Sequence, residues 1–193
     1  MTLILASASA IRHQMLAAAG IGHRVMPPGI DESAIKMDGA EPAGMALELA
    51  SAKALAVSRS QADAWVIGGD SVVSVDGRRF DKPADRDQAA EHLRVFAGKT
   101  LILTSAVALA RDGRLEWSLA DEARLQVRPL TDKFIADYLE AEWPEIGYCV
   151  GVFRMEGRGV QLFDRVDGSF FTILGMPLLP LLGALRERGL APS

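Results

Sequence analysis

One carboxylate stands where an apolar residue is expected. Asp70 lies inside Trp65-Val66-Ile67-Gly68-Gly69-Asp70-Ser71-Val72-Val73, a β-branched run that reads as a strand. Along a strand, Val66, Gly68, Asp70 and Val72 share one face. A charge there loses hydration and needs a metal ion or a cationic side chain beside it. The two preceding glycines carry no side chain, so a ligand backbone or a phosphate could come close. The plainer reading of Gly-Asp is a surface turn, but the apolar flanks argue against it.

Other charges sit where they could serve the same chemistry. Lys53 falls on the apolar stripe Ala46, Ala50, Lys53, Val57 of a helix over 42–58. It either snorkels to solvent, the commoner outcome, or reaches a buried anion. Arg12 follows Ser7 and Ser9 in the first turn of another helix. Hydroxyls, free N–H groups and an arginine at a helix start suit an anion. An ordinary capped helix with a surface arginine fits that stretch equally well. Lys82 is held extended by Pro83. Asp31-Glu32 follows Pro27-Pro28-Gly29 and offers paired carboxylates, either solvated or on Mg²⁺.

The elements that must position these residues are legible. Leu3–Ala6 reads as a buried strand, and Ser9 as the cap of a helix that stops at Gly20. A short strand over His23–Met26 precedes the long helix Pro42–Ser58. The strand Trp65–Val75 turns back through Asp76-Gly77 into Arg78–Phe80. A helix follows over Asp85–Phe96, then a central strand over Leu101–Ala110. Asp112-Gly113 is a second hairpin turn, its return strand running through Val127. Thr131 caps a helix to Ala141. Irregular chain to Gly159 leads to a strand at Val160–Phe163 and a last helix over Pro177–Arg188. Alternating strands and helices with two hairpins give a mixed sheet in an α/β fold.

The 193 residues suffice for one core, and 49% hydrophobic content marks a folded globule. A formal net charge of -4 argues against a nucleic-acid polymer as partner. One cysteine, Cys149, allows no internal disulfide and fits a reducing cytoplasm. The N-terminus lacks the basic stretch of a signal peptide. No window approaches the roughly 18 apolar residues of a membrane span. The phosphate-loop, dinucleotide-loop, CxxC, HExxH and G-x-S-x-G patterns are missing. Glycines 157 and 159 leave only a lone GxG. His13, His23 and His92 are scattered without ligand spacing.

Taken in order, the blocks are specific. LASASAIRHQML, Asp31-Glu32, Ala52-Lys53-Ala54, GGDSVV, Asp81-Lys82-Pro83, FRMEGRG and GMPLLPLL span nearly the whole chain. This series resembles the Maf family of nucleotide pyrophosphatases, with its LASxSPRR, DE, KA, GxDxVV, GKP and GLPL blocks. The resemblance implies one Maf-like domain over 1–193. It implies an elongated mixed sheet flanked by helices, related to inosine triphosphatases, with a cleft between two lobes and often a homodimer. It also implies cleavage of a nucleoside triphosphate between the α- and β-phosphates, giving a monophosphate and pyrophosphate, in a house-cleaning role.

Carried onto this chain, the resemblance makes Asp70 the general base, a metal ligand, or both, and Glu32 the second carboxylate on Mg²⁺ or Mn²⁺. Arg12, Lys53 and Lys82 would hold phosphates, with Ser7 adding hydrogen bonds and Glu156 reading the base. Departures are clear: Ala10 and Ile11 replace the family's proline and first arginine. Leu101 replaces a frequent histidine, Ser105 a frequent glycine, and Glu156 a frequent glutamine. The nonpolar Ile11, the lack of a histidine at 101 and Glu156 look like the branch that prefers 7-methyl-GTP, whose cationic base a carboxylate would suit. The missing arginine leaves a different class open, a nucleotide-binding regulator of division arrest with little catalysis. A small-molecule-binding α/β domain unrelated to nucleotides is the third reading.

Overall fold

The computed structural model describes residues 2–33, 35 and 41–192. The chain runs β1 (Thr2–Ala6), α1 (Ala10–Ala18), β2 (Arg24–Val25), α2 (Pro42–Ser58), β3 (Ala64–Val75) and β4 (Arg78–Phe80). It continues through α3 (Arg86–Phe96), β5 (Thr100–Arg111), β6 (Arg114–Val127) and α4 (Asp132–Glu142). After 3₁₀ turns at Glu145–Tyr148 and Arg158–Leu162 come β7 (Phe163–Asp167), α5 (Phe170–Ile173) and α6 (Leu178–Glu187). Seven strands form one mixed sheet in the order β2-β1-β3-β5-β6-β7, with β4 paired to β3. β1 pairs parallel with β2 and β3, while β4 returns antiparallel. This is the mixed α/β fold expected from the alternation of elements.

Local chemistry explains the boundaries. Asp76 and Gly77 take φ of 51° and 76°, and Asp112 and Gly113 take 49° and 73°. Positive φ at both central residues is what a two-residue hairpin turn demands and why Asp-Gly sits there. Asp85 caps α3 by accepting from the Gln88 amide at 2.8 Å. Thr131 caps α4 through the Phe134 amide at 3.2 Å.

Two local expectations fail, and one short element escapes the sequence pattern. Ser9 occupies the N-cap position but its side chain caps nothing; instead its own amide donates to Ser7 Oγ at 3.1 Å. The strand placed at Val160–Phe163 is a 3₁₀ turn, and the strand begins at Phe163. β7 is mostly exposed and polar, so its one-sided pairing with β6 left no apolar run to read. The short helix α5 went unread because four residues are too few for a helical period.

By internal contact the chain divides into two compact units. The first comprises Met1–Ser71, Thr104–Asp121 and Ser169–Ser193. Its core joins Leu3, Leu5, Leu16, Ile67, Val107, Leu109 and Leu181. The second comprises Val72–Leu103 and Glu122–Gly168. There α3 packs on α4, and Phe80 meets Phe96 edge to face at 4.8 Å and His92 at 5.1 Å.

Candidate active site

In the first unit β3 and α2 fix the central pair. A Cβ on Gly68 would lie 2.1 Å from the Ala50 carbonyl oxygen and 2.7 Å from the Ala54 amide. No residue but glycine fits, so the α2 backbone lies directly on β3. Lys53 is one helical turn on from Ala50, and its Nζ reaches Asp70 Oδ1 at 2.6 Å. The same ammonium contacts Glu32 Oε1 at 2.7 Å. Asp70 and Lys53 are each 8% exposed. The snorkelling reading of Lys53 is therefore wrong: the residue closes the buried-anion alternative. The glycines also serve differently from expectation. Gly68 admits the helix, and a Cβ on Gly69 would press on Arg12 Nε at 3.2 Å.

Arg12, half-buried on α1, is tied down by neutral acceptors. Its Nε donates to the Gly175 carbonyl at 2.8 Å, and its terminal nitrogens to Ser71 Oγ at 3.1 Å and Ser7 Oγ at 3.4 Å. Burial lowers its pKa, and the fields of Asp70 and Glu32 oppose that shift. The guanidinium stays charged, because arginine starts so high. Ser7, Arg12, Glu32, Lys53 and Asp70, read separately from the sequence, thus converge. Two cations face two carboxylates, so the four charges cancel.

The sequence reading passed over a polar row behind Arg12. Ser71 Oγ lies 2.8 Å from Ser105 Oγ, which donates to the Thr172 carbonyl at 2.8 Å. The Thr172 hydroxyl donates to Asp121. Serines on apolar strands were the available signal.

Lys82 and Glu156 belong to the second unit, and both are exposed. Their neighbour there is Cys149, whose thiol is pushed up to about 11. Burial is the main cause, Glu156 adds to it, and Lys82 and Arg154 oppose it. The turn that carries Glu156 is braced. Val152 takes φ of 56°, a strained conformation for a β-branched residue. Its carbonyl accepts from Tyr138 Oη at 3.1 Å. Nearby, Arg154 pairs with the buried Glu142 at 3.0 Å. Burial and the Glu142 charge hold the Tyr138 phenol far above its usual range.

The histidines are less scattered than their spacing suggested: His13 Nδ1 and His23 Nε2 lie 2.8 Å apart. Among the described residues no group of three His, Cys, Asp or Glu could hold a metal ion unaided. No helix among them is long and apolar enough to cross a membrane.

The comparisons agree on one family. Residues 2–188 match the profile of the Maf-like proteins. The chain is 46% identical over 198 residues to a protein of Sphingopyxis alaskensis named nucleoside triphosphate pyrophosphatase, covering all of both chains. It is 44% identical over 191 residues to a 7-methyl-GTP pyrophosphatase of Rhizobium meliloti, covering 97% of this chain and 96% of that one. A nucleoside triphosphate pyrophosphatase of Nitrobacter hamburgensis is 45% identical over 190 residues, with 97% and 94% covered. With a family profile matched over residues 2–188 and relatives 44–46% identical over nearly their whole length, the chain belongs to the Maf family.

Proposed function

We propose that this protein hydrolyses nucleoside triphosphates at the α–β phosphoanhydride, releasing the monophosphate and pyrophosphate, with Asp70 as the catalytic residue. The observation that carries the reading is the buried Asp70–Lys53 pair, with the partly exposed Glu32 on the same ammonium, beside Arg12. Phosphoanhydride cleavage needs charge neutralisation, an activated water and a stabilised leaving group. Asp70 takes the proton of the attacking water. Lys53 holds that carboxylate in place and balances its charge. Arg12 and Ser7 receive phosphate oxygens, and Lys82 is assigned the same duty.

The four charges of the cluster sum to zero, while a triphosphate brings several negative charges. A divalent cation makes up the difference. Two carboxylates are a donor set that suits Mg²⁺ or Mn²⁺ when substrate phosphates complete the shell. Asp70 and Glu32 would hold it, and it would offset phosphate charge there.

For the base, we favour 7-methyl-GTP, read by Glu156. Its exposed carboxylate suits a cationic guanine, and relatives of nearly equal identity carry both names. The regulatory alternative rested on Ile11 in place of an arginine, and the enzyme names of the relatives do not favour it. We assign the cytoplasm as compartment and a homodimer as assembly, following the family pattern.

The test is pyrophosphate release from 7-methyl-GTP, GTP, UTP and dTTP, with and without Mg²⁺, by wild type and Asp70→Asn. Losing the base costs about 10²–10⁴ in rate, while the variant, with Lys53 still paired to Glu32, stays folded at a lowered melting temperature. Wild-type turnover by a folded Asp70→Asn protein would refute the assignment.

A further inference from the structure

The polar row behind Arg12 has a proton direction that its end groups dictate. Arg12 can only donate, so Ser71 Oγ is the acceptor of their 3.1 Å bond. A carbonyl can only accept, so Ser105 gives its single hydrogen to Thr172 at 2.8 Å. Ser105 then has no hydrogen left for Ser71, and their 2.8 Å contact must be donated by Ser71. The alternative acceptor for Ser71, the Gly175 carbonyl, is 3.4 Å away and already receives Arg12 Nε.

From Arg12 through Ser71 to Ser105 every donor points the same way and stops on the Thr172 backbone carbonyl; the Thr172 hydroxyl makes its own separate bond to Asp121. The Arg12 cation polarises the Ser71 and Ser105 hydroxyls in that one sense. Ser105 and Thr172 are fully buried, so bulk water does not scramble the order. We propose that Ser105 is a positioning residue: by accepting the hydrogen bond of the Ser71 hydroxyl it turns a Ser71 lone pair onto Arg12 and holds the guanidinium in its working orientation. A residue without a side-chain hydroxyl at this position could not close the row. Its effect on turnover rests on the pyrophosphatase reading; the proton direction does not.

The experiment uses the full chain with Ser105→Ala, Ser71→Ala and the double variant. In ligand-free protein, hydrogen exchange of the Arg12 Nη2 hydrogens, which Ser71 receives, followed by NMR, reports how firmly the guanidinium is held. Ser105→Ala should speed that exchange by about 3- to 10-fold, the worth of one hydrogen bond. With 7-methyl-GTP or UTP, whichever the wild type hydrolyses, KM should rise by a similar factor while kcat stays within about twofold. Ser105→Cys, of the same shape but with weaker hydrogen bonds, should shift both in smaller measure. On the Ser71→Ala background, Ser105→Ala should add nothing, because the residues act in series. Unchanged exchange in a folded Ser105→Ala protein would overturn the proposal. So would a Ser105→Ala effect that persists undiminished without the Ser71 hydroxyl. If no triphosphate is hydrolysed, the exchange measurement alone decides.

Discussion

Asp70 and Lys53 show how a charge becomes buried without ruin. Either side chain alone in that apolar setting would carry a large desolvation cost. Placed 2.6 Å apart, with Glu32 on the same ammonium, each offsets the other. Cys149 shows the opposite case, a group kept neutral. Its thiol is pushed up to about 11 from an ordinary value of 9.0, so the folded protein binds that proton more tightly than the unfolded chain does. Between those values the unfolded chain has lost the proton and the folded one has kept it. Stability present below about pH 9 is therefore lost as pH rises toward about 11. Urea midpoints across that range should fall more steeply for wild type than for Cys149→Ala. Parallel slopes would show that the thiol titrates alike in both states.

At the scale of elements, the site depends on how closely α2 approaches β3, and Gly68 sets that distance. Gly68→Ala puts a Cβ 2.1 Å from the Ala50 carbonyl oxygen, so the helix must retreat. Overpacking of this kind costs about 1–3 kcal/mol or more. The retreat also draws Lys53 away from Asp70, so activity falls with stability. Gly44, on the same helix with open space around it, is the control: Gly44→Ala should stabilise by about 0.5–1 kcal/mol. Chemical denaturation of both variants, with activity alongside, checks the pair, and a neutral Gly68→Ala would contradict the packing argument.

The same elements show what a sequence can and cannot disclose. α2, β4 and both Asp-Gly hairpins were legible because Pro42 at the helix start, alternating apolar residues and positive-φ turn residues are local signals. Lys53 was legible as an anomaly and its partner was not, since the choice between solvent and a buried anion is made by tertiary contact. Gly68 was misassigned to a ligand for the same reason. β7 was misplaced because a largely exposed strand bears no apolar pattern. The row from Arg12 to Asp121 joins residues from five separate stretches, and no spacing rule links them.

Over the whole molecule, the composition excluded more than it specified. A net charge of -4 is no bar to an anionic substrate, because a small anion needs only local cations such as Arg12 and Lys53, not a basic protein. Family membership rests on a match over residues 2–188, and the charged cluster gives that membership a chemistry. The products of one reaction test this account most directly. Phosphorus NMR of 7-methyl-GTP, GTP, UTP and dTTP incubated with the protein and Mg²⁺ resolves every phosphate species. The account predicts a nucleoside monophosphate and pyrophosphate in equal amounts from at least one of them, and no reaction once the metal is chelated. A diphosphate with orthophosphate, or four unchanged triphosphates, would contradict it.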